Sequence, residues 1–344
     1  MRPNDTSLSR VLALGTDPHL HRRFMVVDEP LQGNLRFGLL LEVLDKLAED
    51  TALAYVRRFT PEAMVVTAAI DNILVRHSAD VNRDLTMFAR INYVGRSSME
   101  IGIRVEQPGN PTRHIASCYF TMVARGGMGD DAVSIALPPL DYIDDLEKER
   151  YGKALESREN YRREHALALE PPDRQEFELL AARHREQEEP GFSGLLAGSL
   201  VADSWERMYP EQENVPKKIF GGYLIRRAYE LSSICAEQVA PNRPIIAAVN
   251  RINFFHPVRL GDKLHYTSRV VYTGKTSIGV EASIERISRD RTTKALSNSC
   301  LFTFVNVDKD MVHQPVPKIY PVTYAEDARF IEAYRRHKDL AGHH

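Results

Sequence analysis

The sequence predicts an α+β protein of two like domains, each a central helix wrapped by an antiparallel sheet, joined in one chain as a pseudo-dimer. Three observations predict it. A long internal repeat relates the two halves, each half opens on an apolar run of helical length, and each continues in β-branched segments broken by turn residues. The 344 residues also suit two cores better than one, since domains commonly run to about 100–200 residues.

The repeat is clearest where Arg90-Ile91-Asn92-Tyr93-Val94-Gly95-Arg96-Ser97-Ser98 recurs as Arg269-Val270-Val271-Tyr272-Thr273-Gly274-Lys275-Thr276-Ser277. Its flanks repeat as well. Val66 to Asp71 aligns with Ile245 to Asn250, and Cys118 to Val123 aligns with Cys300 to Val305. Phe37-Gly38-Leu39-Leu40-Leu41 and Gly221-Gly222-Tyr223-Leu224-Ile225 open the two helical runs. In the first, Leu39, Leu40, Leu41, Val43, Leu44 and Leu47 leave little polar face, so that helix should be enclosed by its sheet.

Strands are expected over Thr86 to Tyr93 and Lys263 to Tyr272, each ending in a glycine turn, Val94-Gly95-Arg96 or Thr273-Gly274-Lys275. Residues 140 to 190 are dense in Glu, Arg and Lys and broken by Pro171-Pro172 and Pro190-Gly191, which reads as solvated linker helices without chemistry. The expected organisation is therefore an N-terminal extension over 1–19, a first domain over 20–135, a charged linker over 136–195, a second domain over 196–320 and a tail over 321–344.

Composition narrows the function. Apolar residues make up 43% and charged residues 27%, the mixture of a globular protein, and a formal charge of −2 leaves no basic excess for a nucleic-acid backbone. Cys118, Cys235 and Cys300 stand singly and are expected as core residues in a reducing compartment. No run reaches the ~18 apolar residues of a membrane span. The first 25 residues mix arginines with Asp5 and Asp17 and read poorly as a signal peptide, so cytoplasm is the default compartment. There is no G-x-S-x-G, H-E-x-x-H, P-loop or G-x-G-x-x-G, which removes support for serine-hydrolase and nucleotide-dependent chemistry.

Val27 to Leu47 with Arg36-Phe37-Gly38, Lys218 to Leu231 with Ile219-Phe220-Gly221-Gly222, and Ile252 to Tyr272 with Asn253-Phe254 and Pro257-Val258 carry a family resemblance. With the repeat, they make residues 20 to 320 resemble the hot-dog family, and within it the tandem acyl-CoA thioesterases of the acyl-CoA thioesterase 9 group. The resemblance implies acyl-CoA as substrate and hydrolysis to free acid and CoA by activated water, with no metal or other cofactor. It also implies a homo-oligomer, commonly a trimer of double units, and offers the mitochondrial matrix as an alternative compartment.

Gly38, Gly221 and Gly222 stand at the loop-to-helix junctions, where glycine permits positive φ and close approach, and where helix amides can meet a developing oxyanion. In tandem enzymes of this resemblance a site combines a loop residue of one domain with a helical acid of the other. Four residues before Gly38 stands Asn34, and four before Gly222 stands Lys218; the helical acids are Asp45 and Glu230. Two composite sites follow, Asn34 with Glu230 and Lys218 with Asp45. The first is preferred, with Asn34 orienting water or the thioester carbonyl and Glu230 as base or nucleophile, while Lys218 is assigned to a CoA phosphate. The chain departs from the family pattern at Lys218, where an Asn is usual, and the reverse arrangement stays open.

Arg96, Ser97 and Ser98 and their counterparts Lys275, Thr276 and Ser277 are where the resemblance places CoA contacts, and a cation with neighbouring hydroxyl donors suits a phosphate. Two other readings keep the fold: an enoyl-CoA hydratase, which wants an Asp and His pair, and a non-catalytic acyl-CoA sensor, which Lys218 favours.

Overall fold

The computed structural model describes residues 1–29, 31–71, 73–127, 132–167, 170–215, 218–219, 221–250 and 252–341, with backbone alone at 160–167, 213–215, 218–219 and 339–341. The first half runs β1 (Leu8–Leu12), α1 (Pro18–Phe24), α2 (Phe37–Val56), β2 (Met64–Ile70), β3 (Ile73–Val75), β4 (Leu85–Val94), β5 (Ser98–Gln107), β6 (Arg113–Gly126) and the short β7 (Val133–Ser134). Helices α3 (Asp145–Leu167) and α4 (Arg174–Glu188) connect it to the second half. That half runs β8 (Leu195–Leu196), β9 (Val201–Arg207), β10 (Glu213–Val215), β11 (Lys218–Ile219), α5 (Gly221–Glu237), β12 (Arg243–Val249), β13 (Ile252–Phe254), β14 (Lys263–Thr273), β15 (Ser277–Ile287), β16 (Lys294–Val307) and β17 (Ile319–Tyr320). Helix α6 (Tyr324–Ala341) closes the chain.

The repeat in the sequence is a repeat in space. The halves share one antiparallel sheet, ordered β1-β4-β5-β6-β2-β13-β16-β15-β14-β9, with β3 bridging β6 and β12. At the seam Ile70 pairs with Ile252 and Ala69 with Asn253, while Val249 pairs with Ile73 and Ala248 with Leu74. These registers are the same pairing seen from either half, because Ile70 aligns with Val249 and Ile73 with Ile252 in the repeat. The backbone hydrogen bonds of both seams therefore obey a local two-fold relationship, the geometry of a C2 dimer built into one chain.

Helix α2 is enclosed as its composition requires. Leu40, Leu41, Leu44, Leu47, Ala48 and Ala52 are fully buried, and each of the leucines gains about 1.5–3 kcal/mol on leaving water. Helix α5 is more mixed. Leu224, Ile225, Ala228 and Cys235 pack inward while Arg226, Arg227 and Glu230 stay half-exposed on its other side. The two helices meet each other: the Phe37 and Tyr229 rings lie 5.5 Å apart, and Arg226 Nη1 stands 3.0 Å from Glu42 Oε2. All three cysteines are free and buried, and burial raises their thiols, Cys235 to about 11.

The outer segments differ from their reading as extension, linker and tail. Strand β1 lies within residues 1–19 and pairs with β4 from Leu8↔Ala89 to Leu12↔Leu85. The linker helices are not merely solvated: Ala154 of α3 and Leu180 of α4 are buried, and Tyr151 packs on Tyr93 with ring centres 5.7 Å apart. Helix α6 sets Phe330 against Tyr272 at 5.3 Å, and its Arg335 donates to Glu176 of α4 at 2.7 Å. These segments cover outer sheet residues that would otherwise expose aromatic surface.

Candidate active site

Asp45 stands two turns into α2 with no exposed surface. Its Oδ1 accepts from Thr67 Oγ1 of β2 at 2.7 Å, and its Oδ2 accepts from the backbone amide of Gly222 at 2.7 Å. The carboxylate of one half thus caps the first turn of the other half's central helix, where the helix dipole favours negative charge. Burial pushes the Asp45 carboxyl up to about 7, against the bonds from Thr67 and Gly222, which favour the ionised form; nearby Glu49 adds to the rise. A carboxyl balanced near neutrality is the kind of group general-base chemistry uses.

Gly221 explains its own identity here. A Cβ on it would lie a tight 3.1 Å from the Phe254 ring and in ordinary contact, 3.5 Å, with Asp45 Oδ2, so a side chain here would crowd the ring. The positive φ expected of Gly38, Gly221 and Gly222 is absent; it belongs to Gly33, at 68°. The role expected of the Gly222 amide also changes, since that donor holds Asp45 rather than a substrate oxygen.

The preferred pairing of Asn34 with Glu230 is not assembled as a catalytic pair. Asn34 is buried, and its Oδ1 accepts from Val26 N at 3.0 Å and Val27 N at 2.9 Å. Its Nδ2 donates to Val27 O at 2.7 Å and Glu29 O at 3.1 Å. Both faces of the amide are thereby taken up in pinning the loop before α2. Glu230 is held between arginines, accepting from Arg36 Nη2 at 2.7 Å and Arg227 Nη1 at 3.2 Å. This carboxylate is an ion-pair partner across the halves.

The register of the repeat gives Asp45 a different counterpart. Asp45 lies seven residues after Gly38, and seven residues after Gly222 comes Tyr229, not Glu230. The structure bears this out: a Cβ on Gly38 would lie 3.0 Å from the Tyr229 ring, the mirror image of Asp45 against the α5 end. Likewise Thr67 aligns with Ile246. One interface therefore has an acid and a hydroxyl, and its counterpart has a phenol and an aliphatic chain. Thr67 was missed in the sequence, although its mismatch with Ile246 inside an aligned segment was visible there.

The side chain of Lys218 lies outside the described residues, as does Phe220 altogether. Arg96 and Lys275 are exposed at equivalent turns, closed by Gly95 N to Ser98 O at 2.7 Å and Gly274 N to Ser277 O at 2.9 Å. The carbonyls of Ser97 and Thr276 accept from Ala124 N and Asn306 N, both at 2.9 Å. Ser277 is buried, with its Oγ unpaired. Among the described residues no helix is long and apolar enough to cross a membrane.

Two like halves joined through their central helices define a tandem fold, and known proteins place it. Residues 33–113 and 217–292 each match the family described as the thioesterase superfamily, and the chain belongs to it. It is 28% identical to the mitochondrial acyl-coenzyme A thioesterase 9 of Mus musculus, over 98% of this chain and 78% of that protein. It is 26% identical to the Homo sapiens counterpart, over 99% and 79%. Protein VdlD of Helicobacter pylori is 35% identical over 36% of this chain and 67% of its own. A solved structure described as an oleoyl thioesterase from Lactobacillus plantarum shares the fold, with a TM-score of 0.52 at 8% identity over 87% of this chain and 95% of that one.

Proposed function

We propose that the chain hydrolyses acyl-CoA to free acid and CoA at the seam where Asp45 of α2 meets the N-terminus of α5. The buried carboxylate held between Thr67 and the Gly222 amide is the observation that carries this reading. Two acceptor positions of the carboxylate are taken by those donors, which leaves others for water. Asp45 takes a proton from that water as the oxygen attacks the thioester carbonyl; the C–S bond then breaks, and the thiolate leaves with the proton from Asp45. The positive end of α5 faces the charge that develops on the carbonyl oxygen. The exposed cations Arg96 and Lys275, with Ser97, Ser98, Thr276 and Ser277, serve as contacts for the CoA phosphates, and Lys218 stands in sequence just before the same helix end.

The reading is tested by thiol release from CoA esters of several chain lengths by wild type, Asp45→Asn and Asn34→Ala. Loss in Asp45→Asn with kcat retained in Asn34→Ala is expected. Wild-type turnover in Asp45→Asn would overturn it. The mammalian relatives carry a mitochondrial name, which favours the matrix over the cytoplasm as the compartment, and a trimer of these double units is the assembly proposed, to be read by light scattering.

A further inference from the structure

We infer that the counterpart seam, where Tyr229 and Ile246 replace Asp45 and Thr67, is a second binding site that holds an acyl chain without hydrolysing it. A cavity of about 150 Å³ lies there. Val27, Leu35, Phe37 and Val75 line it from the first half and Ile245 and Ile246 from the second. Asn34 also borders it, but its amide is turned to the 26–29 loop and offers the cavity no polar demand. Tyr229 closes the inner end, packed against Phe37, Phe302 and Phe304 with centroids 5.5–5.9 Å away.

A cavity of about this volume has room for a benzene-sized group, which for an alkyl chain means roughly four to six carbons; Ser78, Ser233, Glu237 and Arg243 also line it and leave the apolar side chains as the wall for the chain. The occupant follows from the pseudo-symmetry and rests on the function proposed for the Asp45 seam. The same helix-end and strand geometry that presents a thioester there is retained here, with the acid and its hydroxyl partner exchanged for bulk that cannot take a proton from water. Arg243 lines the cavity and donates Nη2 to Gln32 O at 2.7 Å, which places a cation beside the carboxyl or thioester end of a bound chain. Both halves wall the cavity, so an occupant would bridge them. It would also touch α5, the helix whose first turn holds Asp45.

Calorimetric titration with hexanoate and, separately, hexanoyl-CoA tests the assignment and distinguishes free acid from thioester as the source of the chain. Val27, 41% exposed, and half-buried Ser233 border the cavity, so Val27→Trp and Ser233→Phe fill it from two sides with little demand on the core. Wild type should take up a hexanoate that each filled variant binds at least tenfold more weakly and that Asp45→Asn binds as wild type does. With hexanoyl-CoA on the hydrolysis-deficient Asp45→Asn protein, one equivalent fewer in Asp45→Asn/Val27→Trp identifies the thioester as an occupant, and equal stoichiometry with hexanoate still displaced identifies the free acid. Retained thiol release in the filled variants shows that they are folded. Hexanoate binding unchanged by both fillings, lost in Asp45→Asn instead, or absent in wild type would overturn the second site. Continued hydrolysis by Asp45→Asn would instead overturn the catalytic reading.

Discussion

The Asp45 carboxylate, on the central helix of the first half, accepts a 2.7 Å hydrogen bond from the Gly222 amide that opens the central helix of the second. Neither residue could do this inside its own domain, so the contact joins the halves at the seam proposed for catalysis.

Replacing Asp45 should therefore remove turnover before it removes the fold. Asn keeps the size and can still accept from Gly222, but it cannot take a proton from water. Thiol release by Asp45→Asn should fall by about 10²–10⁴-fold, the usual contribution of a positioned general base, with an unchanged circular dichroism spectrum.

The pH dependence follows from burial. With the carboxyl pushed up to about 7, kcat/KM should rise as pH passes through neutrality and level off above it. Thr67→Val removes a donor to the ionised form, so the rising limb should move to higher pH. A limb unmoved in Thr67→Val would separate that hydroxyl from Asp45 function.

Stability should show the opposite trend. Because the folded-state value of Asp45 is raised above the ordinary 3.8, the native state binds the proton more tightly than the unfolded state between those values. Its contribution to stability is present at low pH and is lost as pH rises towards 7. Asp45→Asn should therefore gain Tm relative to wild type at pH 8 more than at pH 5, measured by thermal melts across that range.

Asn34 and Glu230 should behave as structural residues. Asn34→Ala removes four side-chain hydrogen bonds from the exposed 26–29 loop and should cost about 1 kcal/mol, read by urea unfolding. Glu230→Gln weakens ion pairs whose side chains are 24–39% exposed, so about 1 kcal/mol or less is expected. Neither change should lower kcat by more than a few-fold once folding is accounted for.

Much of the architecture was legible in the chain. Periodicity and the repeat located the start of α2, and β4, β14 and their glycine turns, to within a residue or two, because hydrophobic period and turn chemistry are local properties. The repeat even held the clue to the proposed site, in the equal spacing of Gly38 to Asp45 and Gly222 to Tyr229. The edge strand Leu8–Leu12 was not legible, since five mixed residues carry too weak a pattern to outweigh their position at a terminus.

By itself the sequence determined that there are two like halves, each with a helix enclosed by a sheet, and which few polar residues lie near the helix starts. Only the tertiary structure showed how the surroundings of the two seams differ. Whether a carboxyl is a poised base or half of an ion pair depends on desolvation and on which donors face it. For Asp45 those donors are Thr67, 22 residues on, and Gly222, 177 residues on; for Glu230 the opposing arginine is Arg36, 194 residues back.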